Sequence, residues 1–313
     1  MLEKFAAVIR ETEDASAEKV PEELTGLSGR RLVGTLKNFA QLFKDDPKAC
    51  YLEVGVYHGL TLLSVANHVA DIPCFGVDNF SYKSSIPSNF DIVKSRIEKL
   101  ALDNVSLINK DFEVAFDEMA EALDGRRIAV YFIDGPHDYR SQLMCLEYAL
   151  PFLHENAVIV VDDSNYNHVR QANRDFLHNH DEWKILFEAY TPTHPMNMRK
   201  KEAAAAREGW WNGVNILVRD QANILANTEP VTIESKIRFF NDHLIHGSKY
   251  ADGASIAIEA VQYLLNFRFL KARSKLKEAV STQEKSPSRA GKRYFVDNVD
   301  TDQMPTEQFN SAL

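Results

Sequence analysis

Three carboxylates and one imidazole are the side chains whose types and spacing could do chemistry here. Asp134 and His137 lie in Phe132-Ile-Asp-Gly-Pro-His-Asp-Tyr139, and Asp162 and Asp163 close the run Val158-Ile-Val-Val-Asp-Asp163. Each group follows a short apolar run that reads as a strand buried on both faces. Between them Leu143, Leu146, Leu150 and Leu153 recur at helical spacing over about 143–154, so the stretch reads strand, helix, strand. Such a crossover makes the strands parallel neighbours about 5 Å apart. Their carboxyl ends, where open α/β sheets bind ligands, then gather Asp134, Asp162 and Asp163 with His137 alongside. Clustered carboxylate oxygens of this sort hold a hard divalent cation. Asp162 and Asp163 also read as a cap pair for a helix after Ser164-Asn165. Successive strand residues face opposite ways, so both acids reach one ion only if the strand has already ended.

The elements that must position these groups run from about 48 to 220. Candidate strands at 49–54, 73–77, 105–108, 128–133, 157–161, 184–189 and 213–218 alternate with helical patterns, which reads as a doubly wound α/β domain. The first strand runs into Glu53-Val-Gly-Val-Tyr-His-Gly-Leu-Thr61. Gly55 suits a tight turn and Gly59 a close backbone approach to a ligand. The spacing is not that of the dinucleotide fingerprint. Asp78 ends the second strand, placed to accept both hydroxyls of a ribose or to start a turn with Asn79. Asp111 and Phe112 follow the third, placed to meet an adenine; Asp111 reads equally as the cap of the next helix.

Ahead of this domain, residues 1–47 read as helical, with Leu32, Leu36, Phe39 and Phe43 on one stripe and Asp45-Asp46-Pro47 as the stop. The 191–212 insert reads as a lid or an exposed loop. In it His194, Met196, Met198, Trp210 and Trp211 are placed to close over a substrate, or the tryptophans to anchor the last strand. Arg199-Lys200-Lys201 reads as a solvated face. Residues 221–280 form a helical extension, with one stripe at Ile233, Ile237, Phe240 and Leu244 and a second region over about 255–280 carrying Ile258, Val261, Leu264 and Leu265. Residues 281–313 read as a polar, extended tail.

Composition excludes several classes. At 313 residues and 45% hydrophobic, the chain can bury one large core or two smaller ones. A net charge of −9 with no long basic run argues against a dedicated nucleic-acid binder. Cys50, Cys74 and Cys145 are too scattered for a zinc site or a disulfide framework and read as buried, inert thiols. No apolar run approaches the ~20 residues of a membrane span, and the N-terminus lacks a signal-peptide pattern. The expectation is a soluble, cytoplasmic protein without a membrane partner.

Taken together, these segments resemble the class I methyltransferases that use S-adenosylmethionine. Within them the likeness is to the metal-dependent O-methyltransferases of sugar and natural-product pathways, the macrocin O-methyltransferase-like group. It covers about residues 48–220 and rests on Glu53 to Thr61, Asp134-Gly-Pro-His-Asp-Tyr139 and Asp162-Asp163. The resemblance implies a seven-stranded Rossmann-like sheet, parallel except for its last strand, with terminal helices added. It implies S-adenosylmethionine held by Glu53, Gly55, Tyr57, Gly59, Thr61, Asp78, Asp111, Phe112 and Asp134. It further implies magnesium on Asp134, Asp162 and Asp163, with His137 as general base. His154-Glu-Asn-Ala157 departs from the Gly-Gly that many relatives carry, and Phe112 replaces a residue that is often small and polar.

The expected reaction is methyl transfer to a hydroxyl of a small molecule such as a sugar, natural product or catechol-like diol. The terminal helices offer a surface for a homo-oligomer. Rival readings are a metal-independent methyltransferase of the same fold, a nicotinamide oxidoreductase, which the missing third glycine counts against, and a non-catalytic binding protein. Binding of S-adenosylhomocysteine and of Mg²⁺ separates them.

Overall fold

The computed structural model describes residues 1–14, 21, 24–82, 86–228, 251–285 and 306–313. The chain divides into two compact units, Met1–Phe240 with Asp297–Leu313, and Asn241–Val296. In the first, strands β1 (Ala49–Val54), β2 (Cys74–Val77), β3 (Val105–Ile108), β4 (Arg127–Ile133), β5 (Leu153–Asp162), β6 (Trp183–Ala189), β7 (Val214–Arg219) and β8 (Glu307–Phe309) form one sheet. Their order is β3-β2-β1-β4-β5-β7-β6-β8. β1 to β5 pair parallel, while β7 runs antiparallel to β5 and β6, and β8 antiparallel to β6.

The central strands are apolar on both faces because both faces are covered. Tyr51, Val130, Phe132, Val158 and Val160 join one core cluster, and their neighbours Leu52, Tyr131, Ile133, Ile159 and Val161 join the other. That is the two-residue period of a strand feeding two cores. The first cluster is closed by α1 (Leu2–Asp14), α2 (Arg30–Gln41) and α3 (Leu60–His68). The second is closed by α5 (Phe112–Asp117), α6 (Met119–Leu123), α7 (Tyr139–Ala149) and α8 (Asn167–Asn179). α4 (Asn89–Leu100) packs beside α3. Phe5 and Ile9 of α1 are fully buried with Leu32, Leu36 and Phe39 of α2, so residues 1–47 include part of the main core. The strand order reverses between β1 and β4, which opens a crevice at their carboxyl ends.

Several expectations are corrected. Leu153 is not the end of the helical stripe but the first residue of β5, paired with Ile128; Pro151, in a 3-10 turn over Leu150–Phe152, stops the helix. α2 ends at Gln41, ahead of the acidic stop, with Phe43 buried in the turn that follows. The sheet has eight strands rather than seven, because the expected extended tail returns as β8 at the edge of β6. The 191–212 insert is not a bare loop: it holds a 3-10 turn at Pro195–Asn197 and a helix, α9 (Lys200–Glu208). The second unit holds α10 (Ala251–Leu265) and α11 (Phe269–Lys285), broken at residues 266–268 where one region was expected. The stripe Ile233 to Leu244 lies outside the described residues. All three cysteines are free and buried, and burial pushes their thiols up.

Candidate active site

The glycine loop after β1 is held by hydrogen bonds that leave its backbone close to the end of β4. Gly55 has φ +95°, and a Cβ there would stand 2.0 Å from the Asp134 carbonyl oxygen, so only glycine lets the two strand ends meet. Gly59, at φ +80°, opens α3. Asp78 Oδ2 accepts the N–H groups of Val56 and Tyr57, both at 2.8 Å, and its Oδ1 that of Phe80 at 2.6 Å. Asp78 therefore shapes the loop from the end of β2. Glu53 is fully buried, accepting from Tyr51 Oη at 2.6 Å and Thr61 Oγ1 at 2.8 Å. Burial pushes its carboxyl up to about 8, against those hydrogen bonds and with help from the Asp78 charge. Tyr57 stacks on His58 with ring centroids 3.9 Å apart.

The third strand delivers less than expected. Asp111 caps α5, its Oδ1 accepting from the Glu113 N–H at 3.0 Å. Phe112 is packed into the second core cluster rather than lining an open cleft, since it is the first residue of that helix and faces the sheet. The adenine contact expected of it does not appear as an exposed ring.

At the ends of β4 and β5 the acids do converge. Asp134, His137 and Asp163 each offer a ligand atom within 4.8 Å of the others. His137 Nε2 lies 2.8 Å from Asp163 Oδ2, and its ring stacks on Tyr166 at 5.2 Å. Asp163 has φ +53°, so the strand has ended at Asp162 and the next side chain swings toward Asp134. Asp162 is engaged locally, although its charge acts on Asp134 as well. Its Oδ1 accepts the Asp163 N–H at 2.8 Å, and Ser28 Oγ approaches its Oδ2 at 3.5 Å. Among the described residues Asp162 is thus a neighbour of the three-residue group and not a member of it. Burial, then the charges of Asp162, Asp163, Glu53 and Asp78, push the Asp134 carboxyl up. Asp162 is pushed up by burial and by Asp163. Burial also raises Asp163, but the charge and hydrogen bond of His137, the Asn212 amide and His194 outweigh it and hold this carboxyl down.

The 191–212 insert supplies groups that sequence reasoning missed. Asn212 Nδ2 donates to Asp163 Oδ1 at 2.7 Å. Asn165 ties both ends of the insert, donating to Thr191 Oγ1 at 2.5 Å and Asn212 Oδ1 at 3.0 Å, and accepting the Thr191 N–H at 3.1 Å. Its place directly after Asp162-Asp163-Ser164 was the only available signal. His194 is buried, its Nδ1 accepting the Met196 N–H at 3.1 Å, with ring centroids 6.1 Å from Tyr166 and 6.3 Å from Trp211. Burial pushes it down to about 4, Asp163 pulling the other way. Trp210 anchors in the first core cluster, as one of the two tryptophans was expected to, while Met196 is exposed.

A strap from Thr25 to Arg30 crosses the same edge. Arg96 donates to Thr25 O at 3.2 Å, to Thr25 Oγ1 at 2.8 Å and to His58 O in the glycine loop at 2.6 Å. At the other end a Cβ on Gly29 would lie 2.1 Å from Gly209 O. The strap therefore spans from the glycine loop, past Asp162, to the end of the insert.

Within this frame, residues 52–164, which carry both the glycine loop and the acidic group, match the methyltransferase-domain family. Residues 52–164 carry a methyltransferase domain. Domains of this class take their methyl group from S-adenosylmethionine, and the chain is an enzyme of that kind. Solved structures resemble the methyltransferase at low identity. An O-methyltransferase from Bacillus cereus in complex with SAH is 16% identical, with 70% of this chain and all of that chain (100%) covered and a TM-score of 0.45. TomG from Streptomyces achromogenes, an O-methyltransferase involved in tomaymycin synthesis and solved with SAM, is 14% identical, covering 70% and 89% with a TM-score of 0.44. The SAH-bound methyltransferase PaMTH1 of Podospora anserina is 15% identical, covering 70% and 88% with a TM-score of 0.41. No curated protein matches the methyltransferase. At these values the family match and the site's own geometry carry the reading.

Proposed function

We propose that this methyltransferase acts on a hydroxyl of a small molecule with neighbouring hydroxyls, such as a sugar, a natural product or a catechol-like diol. The observation that carries the proposal is the convergence of Asp134, His137 and Asp163 at a strand end that touches the glycine loop at Gly55.

The donor set fits a divalent cation. Asp134 and Asp163 bring oxygens, and Asp134 is pushed up by burial and by four nearby carboxylates whose mutual repulsion a cation would relieve. Mg²⁺ prefers oxygen ligands, so Asp134 and Asp163 would hold it in preference to the softer His137 nitrogen. Bound there, the ion would lower the pKa of an acceptor hydroxyl and fix its position.

The remaining steps belong to the chain. His137, aligned by Asp163 through Nε2 and stacked on Tyr166, takes the hydroxyl proton at its other ring nitrogen, Nδ1. S-adenosylmethionine, held in the crevice, would supply the methyl carbon to the acceptor oxygen, with the carbon–sulfur electron pair left on sulfur as a neutral thioether. Gly55, Gly59 and Asp78 hold the loop that would place the cofactor in line. His194 and Trp211 wall the acceptor side.

A metal-independent version of the same transfer is favoured by one observation: His137 and Asp163 already form an oriented pair at 2.8 Å. His137→Ala tests the base. It is expected to lower turnover by about 10²–10⁴-fold while leaving the affinity for S-adenosylhomocysteine and Mg²⁺ unchanged. Parallel loss of Mg²⁺ affinity would make His137 a ligand instead.

A further inference from the structure

The second unit has its apolar side chains on the outside. α10 and α11 meet through Ala260, Ala272 and Ala279, all buried. A helix pair of this length gains its stability by burying an apolar stripe. Here the large apolar groups at the tip stand in solvent instead: Leu265 is 74% exposed, Phe267 81%, Phe269 62% and Leu270 85%.

Phe267 shows that its side chain matters. It ends α10 at φ +56°, with its N–H on Leu264 O at 2.9 Å and the Arg268 N–H on Tyr263 O at 2.8 Å. That position favours glycine, and a bulky residue there is strained. Glycine would make the same turn at lower cost. What phenylalanine adds is a largely exposed apolar ring, 6.4 Å from the neighbouring Phe269 ring.

The charge around the tip is one-sided. Arg268, Lys271, Arg273, Lys275 and Lys277 fall between Leu264 and Lys277 with no acid among them, in a chain whose net charge is −9. Lys275 is engaged with Glu259 and Glu278, which leaves the other four basic groups around the apolar tip. Apolar groups at a convex end with a basic collar fit a surface that is negative outside and apolar beneath. A second copy seated tip to tip would bring the two collars together and repel.

We propose that the tip of this helical hairpin seats on an anionic lipid bilayer, with Leu265, Phe267, Phe269 and Leu270 at headgroup depth and Arg268, Lys271 and Arg273 on the headgroups. Among the described residues no helix is long and apolar enough to cross a membrane, so the contact is peripheral. This departs from the expectation of no membrane partner and does not depend on which acceptor is methylated.

The test is cosedimentation of the full chain with vesicles of phosphatidylcholine alone and of equimolar phosphatidylcholine and phosphatidylglycerol. Partitioning is expected to be about tenfold or more stronger on the anionic vesicles and to fall with added salt. Phe267→Gly, which keeps the turn, combined with Leu270→Ser should remove it, as should Arg268→Glu with Lys271→Glu, all with unchanged thermal melting. Equal partitioning on both vesicle types, or on wild type and variants, would overturn the proposal. So would a dimer, seen by light scattering, that the Phe267→Gly/Leu270→Ser chain no longer forms, since the tip would then belong to a second copy.

Discussion

At the scale of single residues, Glu53 gives the site a measurable pH signature. Its carboxyl, at about 8 in the fold against an ordinary value of 4.5, stays protonated where the unfolded chain would ionise. The folded state therefore binds more protons between those values, and stability falls as pH rises from about 4.5 toward 8. Glu53→Gln removes that dependence. Its melting temperature should gain on the native chain as pH rises from about 6 to 8 and gain no further above that; a constant difference across calorimetric scans would contradict this. The acids at the site were legible as a set because strand ends in a parallel sheet collect functional groups, whereas their division of labour was not. Asp162 and Asp163 are adjacent and identical in type, and it is the left-handed turn at Asp163 that brings its carboxylate within reach of both Asp134 and His137. The burial of Phe112 was hidden for a related reason, since its ring direction depends on how α5 docks.

At the scale of elements, the proposed reaction has the insert cover the acceptor side, and Asn165 ties the two ends of that insert. Asn165→Ala would remove four hydrogen bonds to Thr191 and Asn212, at a cost of about 1–3 kcal/mol. The expected outcome is a several-fold rise in KM for the acceptor and faster proteolysis within residues 191–212, with S-adenosylhomocysteine affinity unchanged. Loss of cofactor affinity would mean the insert braces the whole crevice. The strands that carry the site were readable because both faces of each are buried, which leaves unbroken apolar runs. α9 was not, because Lys200–Glu208 is a polar, alanine-rich sequence with little apolar period. Leu153 misled because a leucine every three or four residues fits the helix, while Pro151 had already ended it.

At the scale of the whole molecule, the last residues of the chain close the main unit. β8 extends the sheet beside β6, Phe309 packs on Phe187 with ring centroids 5.0 Å apart, and Arg10 of α1 lies 4.6 Å over the Phe309 ring. Glu307 takes Arg31 of α2 at 2.5 Å and Trp210 at 3.2 Å, and Asn310 donates to Ile185 O and Ala226 O. Removing residues 306–313 should therefore cost about 2–4 kcal/mol in urea denaturation; an unchanged midpoint would show that β8 is an ornament of the edge. A strand of three residues with only one apolar member leaves no periodic trace, so this closure could not be read from the sequence. The parallel pairing of β4 with β5 could, since a strand–helix–strand run with short connections admits few alternatives.

The central claim is that the crevice between β1 and β4 binds the methyl donor beside a cation held by Asp134 and Asp163. Its most direct test is calorimetric titration of the metal-stripped full chain with S-adenosylhomocysteine and then Mg²⁺, repeated on Asp163→Ala. The account predicts saturable heat for both ligands, with the Mg²⁺ heat lost in the variant and the S-adenosylhomocysteine heat retained. Mg²⁺ binding that survives Asp163→Ala, or a native chain that takes up no S-adenosylhomocysteine, would contradict it.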